Sequence, residues 1–335
     1  MKTKMMMAVM AAALMLLSAC HKEPIEPTRN HISFEVISRP QGQQFFVSNI
    51  EQAHISPICV DICMRQQNSN FNDFLNVCRD DVIDVPDSLL FLVDSLEARM
   101  NRRIDAMGLN FPFNQPIPLA NSKMLAWDQA AGFTLGTYIF IDFEMLKLYY
   151  DYDSQNGTAY AETLLWHEFC HVLDRLYPDY RKQFYALIGF EILSDEIPIP
   201  EDVKNTLIYN PDVNRHDSYA KFNINGEEKN CMLITRCPDS VYMQGEGLMD
   251  YFTSNKGIYL LALDENFEPY IVDGQWAMYH ASEVSNFDYV MSDGNTNYCV
   301  DPEECIADNF SFAIMQDQSC PNQGLLERIL KILSK

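Results

Sequence analysis

Hydrophobic positions recur along this chain with two different periods, and the changes of period mark out its elements. Residues 31–38 (HISFEVIS) and 43–50 (QQFFVSNI) alternate apolar and polar side chains, the pattern of half-buried strands. The spacing then becomes helical over VPDSLLFLVDSLEARMNRRIDAMG, residues 85–108. Leu89, Leu92, Val93, Leu96, Met100 and Ile104 fall on one face, Asp87 stands at a cap position and Gly108 ends the run. PFNQPIP (112–118) reads as a loop, and GFTLGTYIFID (132–142) as a strand. Asp142 can cap a helix in FEMLKLYY. Gly157-Thr158 forms a turn and a cap, after which helical spacing continues to about Tyr177, where Pro178 interrupts it. A further helix runs from about Tyr180 to Leu193 and stops at IPIPED (197–202). Residues 200–300 are mixed, with a strand-like KGIYLLALD (256–264). Asp301-Pro302 opens a helix to about Gln316, because proline suits the first helical turn. QGLLERILKILSK closes the chain as a short amphipathic helix that packs on the body.

The first twenty residues lie outside this pattern. Two lysines, an apolar run and Leu17-Ser18-Ala19-Cys20 make a signal peptide. The run is too short to span a membrane as a helix. The residues before Cys20 resemble a bacterial lipobox, which implies cleavage after residue 19 and lipid on Cys20. Residues 20–30 then form a polar, proline-containing tether, and the chain is expected in the bacterial cell envelope. A formal charge of −23 argues against nucleic acid and against a basic patch on anionic lipid. Of ten cysteines, nine remain if Cys20 is lipidated. In an oxidising compartment they allow up to four disulfides and leave at least one free thiol. No CxxC pair occurs, which argues against a cysteine-type zinc finger.

The chemistry concentrates in LLWHEFCHVLDR, residues 164–175. A helix turns about 100° per residue, so His167 and His171 lie about 40° apart, one turn apart on one face. Both imidazoles can reach one ion at about 2 Å. Glu168 sits beside that face, where a general base can take a proton from water. Asp174 returns to the same face and can orient a ligand imidazole. Leu165, Phe169, Val172, Leu173 and Leu176 make an apolar anchoring face. Cys170 points to the flank and reads as a buried free thiol.

Two histidines need a third protein ligand. Glu191, with Asp195 four residues on, lies 20 residues after His171, and Glu304, with Asp308 four residues on, lies in DPEECIADNF. Either glutamate could bind metal while the aspartate supports a histidine. Each also has a plain reading, Glu191 as a solvated helix end and Glu304 as a capping-box residue three after Asp301. His216 and His280 are further donors that read more simply as surface histidines.

HEFCHVLD resembles the HEFxHxLD motif of the lethal-factor-like and MtfA-like gluzincin peptidases. Those families carry a later E-E-x-x-A-[DE]-x-F helix, matched here by Glu303, Glu304, Ala307, Asp308 and Phe310. The resemblance implies Zn2+ held by His167, His171 and Glu304, with Glu168 as base and Asp308 as support. It also implies a tyrosine that stabilises an oxyanion, for which Tyr298 lies near at a shifted spacing. A strand before the motif helix would bind extended peptide along its edge. The two motifs cover roughly twenty residues, and their separation implies an insertion at about 195–295.

The expected fold is α+β and zincin-like. Residues 31–110 form an N-terminal α/β region packing on a catalytic domain from 111 to 335. The expected activity is zinc-dependent peptide hydrolysis by a membrane-anchored enzyme. The alternative is a cell-surface binding lipoprotein whose zinc is structural, closed by a fourth side chain. A metal-free interaction module is the third reading.

Overall fold

A computed structural model describes residues 31–334 apart from 129, 214, 240, 253–255 and 292. The signal peptide, Cys20 and the tether lie outside the described residues. The architecture is mixed α+β, built on two sheets and a set of helices. The first sheet has the order β1 (Phe34–Val36), β3 (Ile117–Ser122), β5 (Tyr138–Ile141) and β4 (Gly132–Leu135), with β2 (Val82–Ile83) pairing on β3. β1, β3 and β5 run parallel, whereas β4 turns back antiparallel to β5. Residues 132–142 are thus a hairpin turning at Gly136, where one strand was expected. β4 is one edge of the sheet, and β5, which pairs with both β3 and β4, is internal. β1 and β2 precede residue 110 and pair with β3, so residues 31–110 share this sheet with the strands that follow.

QQFFVSNI is not a strand. It lies inside helix α1 (Arg39–Gln52), whose start is fixed by Ser38, Pro40 and a capping box with Gln41. Its buried residues, Gly42, Phe46 and Ile50, are four apart, a helical spacing hidden beneath a short alternation. α2 (Pro57–Met64) and α3 (Phe71–Asp81) follow. α4 (Phe91–Met107) buries Leu92, Val93, Leu96, Met100 and Ile104, and Gly108 closes it in the left-handed conformation. β3 begins inside the stretch read as a loop. Pro118 obscures it, yet β3 is the central strand.

After β5 come α5 (Phe143–Asn156), α6 (Tyr160–Leu176) and α7 (Pro178–Leu187). α7 ends well before Leu193, and Glu191-Ile192 becomes strand β6. The second sheet is antiparallel, in the order β12 (Met278–His280), β9 (Ile258–Leu263), β8 (Glu227–Thr235), β7 (Ser218–Ile224) and β6. Between β9 and β12, β10 (Ile271–Val272) and β11 (Gln275–Trp276) make a small ribbon. α8 (Pro302–Met315) and α9 (Gln323–Leu333) return the chain to α6 and α7. One apolar core runs through both sheets.

The nine described cysteines are free thiols, and all but Cys63 are buried. The expected disulfides are therefore absent among the described residues. Buried thiols here pack as small apolar groups, and burial pushes the Cys78 and Cys170 thiols well up from their ordinary value. Among the described residues no helix is long and apolar enough to cross a membrane.

Candidate metal centre

α6 is locked in place at three points before it reaches the site. Its start is tied to α5, where the Asp153 carboxylate accepts hydrogen bonds from Thr158 Oγ1 (2.7 Å) and from the amides of Tyr160 (2.8 Å) and Ala161 (2.9 Å). Within the same first turn, Glu162 accepts from Arg103 of α4 at 2.6 and 3.2 Å, and from Trp166 Nε1 at 3.2 Å. Its apolar flank then buries Leu165, Phe169, Val172 and Leu173. The Phe169 ring lies 4.9 Å from those of Phe111 and Phe113. Leu176, expected on this flank, is exposed at the helix end. The opposite face of α6 looks at β4 and α8.

On that face the rings of His167 and His171 stand 4.9 Å apart. α8 brings Glu304 to both. Its Oε2 is 3.1 Å from His167 Nε2 and 3.6 Å from His171 Nε2. The other oxygen, Oε1, accepts from Asn210 Nδ2 and lies 3.5 Å from Tyr298 Oη. One turn along α8, Asp308 Oδ1 lies 2.9 Å from His167 Nδ1, and its Oδ2 accepts from Thr296 Oγ1. Glu168 packs under the edge strand. Its Oε2 accepts from Thr134 Oγ1 at 2.7 Å. Gly132 makes this approach possible, because a Cβ there would stand 3.2 Å from Glu168 Oε1 and from the Phe140 carbonyl.

Asp174 does not orient either imidazole. It is buried, and neither carboxylate oxygen has a hydrogen-bond partner. Glu303 stands nearer to that place, with Oε1 3.6 Å from His171 Nδ1 and 3.4 Å from Arg175 Nη2. Glu191, the other candidate ligand, is exposed on β6 and accepts a hydrogen bond from Tyr219. His216 and His280 belong to neither group of side chains that could hold an ion. His280 instead caps a short turn through Ser282.

The structure adds one residue that sequence reasoning did not single out. Asp212, from the connection between β6 and β7, accepts from the Thr134 amide at 2.5 Å and stands 3.9 Å from His171 Nε2. It belongs to no periodic element, so no spacing marks it. Two overlapping groups could thus hold a metal ion: His167, His171 and Glu304, and Glu168, His171 and Asp212. Within each, the donor atoms lie inside 4.8 Å of one another.

The electrostatics describe a buried pocket in which carboxylates share charge with two histidines. Burial opposes the charged form of Glu304, but its contacts with both histidines hold it well below the usual carboxylate range. Burial also works against charge on His171, yet Asp212, Glu303 and Glu304 raise it to about 10. Glu168 is pushed up by burial, which the two histidines and Thr134 only partly offset. Burial, then the charges of Glu168 and Glu304, push Asp212 well up. No family model, curated protein or solved structure matches the chain.

Proposed function

We propose that this chain is a zinc-dependent peptidase of zincin-like fold, held at a bacterial membrane through lipid on Cys20. The observation that carries the reading is the convergence of His167, His171 and Glu304 from two helices onto one buried point, with Glu168 alongside. The donors fit zinc. Two imidazoles and a carboxylate are its common ligands in hydrolytic sites, whereas magnesium and calcium prefer oxygen alone. His171 is fully buried and both of its ring nitrogens lack a hydrogen-bond partner. A donor left bare in the interior costs about 1–3 kcal/mol, and a metal bond removes that cost.

When bound, zinc supplies a Lewis acid that polarises a peptide carbonyl and makes water more acidic. The rest falls to the protein. His167, His171 and Glu304 are the ligands, and Asp308 fixes the His167 ring through Nδ1. Glu168 accepts a proton from the attacking water and passes it to the departing amine. Thr134 holds its Oε2, and burial raises its proton affinity toward the range that such a shuttle needs. Tyr298, beside Glu304 and 6.5 Å from the His167 ring, can donate its hydroxyl to a developing oxyanion.

Replacing Glu168 by Gln tests this. Zinc should stay near one per chain while hydrolysis of a peptide library falls by roughly a hundredfold or more. Loss of zinc together with activity would make Glu168 a ligand instead. The rival, a surface-binding lipoprotein with structural zinc, draws support from one observation. Asp212 offers a further buried protein donor 3.9 Å from His171 Nε2.

A further inference from the structure

We propose that Arg175 is a positioning residue for the reaction: it fixes the edge strand β4 against α6, and through Thr134 it sets where the Glu168 carboxylate stands. The inference rests on the peptidase reading above, in which Glu168 is the base. Three observations carry it.

The first is the use that the interior makes of Arg175. It lies on α6 one turn after His171, and its side chain is only 4% exposed. A buried guanidinium is costly unless its donors are used. Its contact with Glu303 Oε1 is a long one, at 3.4 Å. The shorter bonds all go to backbone carbonyls. Nη1 donates to those of Thr134 (2.8 Å) and Gly136 (2.7 Å), and Nη2 to that of Asp212 (2.6 Å). The fork of a guanidinium can span two segments in this way, whereas the compact ammonium of lysine cannot. Arg175 thereby joins α6 to the tip of the hairpin and to the connection between β6 and β7.

The second is the position of β4 in its sheet. It pairs with β5 on one side only, so no neighbouring strand fixes its other side. The amide and carbonyl of Thr134 face that open side. The carbonyl accepts from Arg175, the amide donates to Asp212 Oδ1 at 2.5 Å, and Arg175 holds the Asp212 carbonyl in turn. Three bonds close a circuit through Arg175, Thr134 and Asp212. These groups of Thr134 serve the fold and are not open to an extended peptide.

The third is that the base depends on the same strand. Thr134 Oγ1 donates to Glu168 Oε2 at 2.7 Å. The strand is as close to the other oxygen, because a Cβ on Gly132 would stand 3.2 Å from Oε1. Both carboxylate oxygens therefore follow β4. A catalytic group misplaced by about 1 Å can cost about a hundredfold in rate. The bonds that fix β4 thus act on the chemistry without touching the metal.

The test is a double-mutant cycle in the full-length, zinc-loaded chain, with Arg175→Lys, Thr134→Val and both together. The readouts are kcat and KM on peptides that the wild type cleaves, and zinc affinity by chelator competition. Each single change should lower kcat at least about tenfold, with KM and zinc affinity kept within about threefold. The double variant should fall no further than the weaker single one, because both changes break one chain of contacts. Thr134→Ser, which keeps the hydroxyl, should recover most of what Thr134→Val loses. Losses that multiply in the double variant, to about a hundredfold or more, would make Arg175 independent of Thr134. The inference then fails while the peptidase reading stands. It fails in the same way if zinc affinity falls together with kcat, since Arg175 would then act through Glu303 and His171. An unchanged kcat in Thr134→Val also overturns it, whatever Arg175→Lys does. If Arg175→Lys does not fold, Arg175→Gln, which keeps two donors, replaces it in the cycle. A wild type that binds no zinc, or binds it and cleaves no peptide, overturns the peptidase reading and this role with it.

Discussion

Asp174 separates what spacing can say about one residue from what packing decides. Three residues after His171 it shares the ligand face, which suggests a partner for an imidazole. In the fold its carboxylate is buried and without a hydrogen bond. Burial, then the charge of Glu303, pushes it up from 3.8 to about 8. Such a group destabilises the fold when ionised, and the sign follows from proton counts. Between pH 4 and pH 8 the folded chain keeps a proton on Asp174 that the unfolded chain has released. The contribution is neutral at low pH and turns unfavourable as pH rises through that window, up to roughly 6 kcal/mol as an upper bound. Asp174→Asn has no proton to lose. Its melting temperature should match wild type near pH 4 and exceed it by a growing margin toward pH 8. A constant difference across that range would mean that Asp174 finds a cation in solution. Glu303 shows the converse. It is adjacent in sequence to the proposed ligand Glu304, and only folding sets its carboxylate opposite His171 Nδ1.

At the scale of elements, the site draws on two helices, one edge strand and one connection, and these differ in how far sequence shows them. α6 and α8 carry their site residues at helical spacing, His167 with His171 and Glu304 with Asp308, so pattern alone groups each pair. Which glutamate joins α6 is not written in spacing. Glu191 lies closer in sequence, but the chain leaves helix at Leu187 and puts it exposed on β6. The expected result is that Glu304→Ala loses most of its zinc and its metal-dependent rise in melting temperature, while Glu191→Ala keeps both. Zinc content by mass spectrometry and paired melts with and without chelator would measure this, and the opposite outcome would remove α8 from the site. β3 and α1 depart from their sequence pattern for local reasons. Pro118 hides a central strand, and the short alternation read over residues 43–50 hides a capped helix. Asp212 and Asn210 lie in irregular backbone, where no period exists to expose them. Their role depends on β4 being an edge, a property of sheet order and not of any segment.

For the whole molecule, the distribution of the site along the chain matters more than any one contact. His167 and Glu304 are separated by the entire second sheet, yet they meet at 3.1 Å. A metal bound there closes that long loop by joining α6 to α8. The apolar core is also continuous between the sheets, so the two should not melt separately. Unfolded chain would retain little of the converged site, so metal affinity becomes folding stability. At free zinc a hundredfold above its dissociation constant the gain is about 2.7 kcal/mol, and about 4.1 kcal/mol at a thousandfold. For a domain of this size that corresponds to roughly several degrees of melting temperature. Chelator should therefore lower one cooperative transition by that amount, and hydrogen exchange should loosen β8 and β9 of the second sheet along with α6. If chelation frees only α6 and α8 while β8 and β9 keep their protection, the metal is a local clamp. The two sheets would then be held by the apolar core alone.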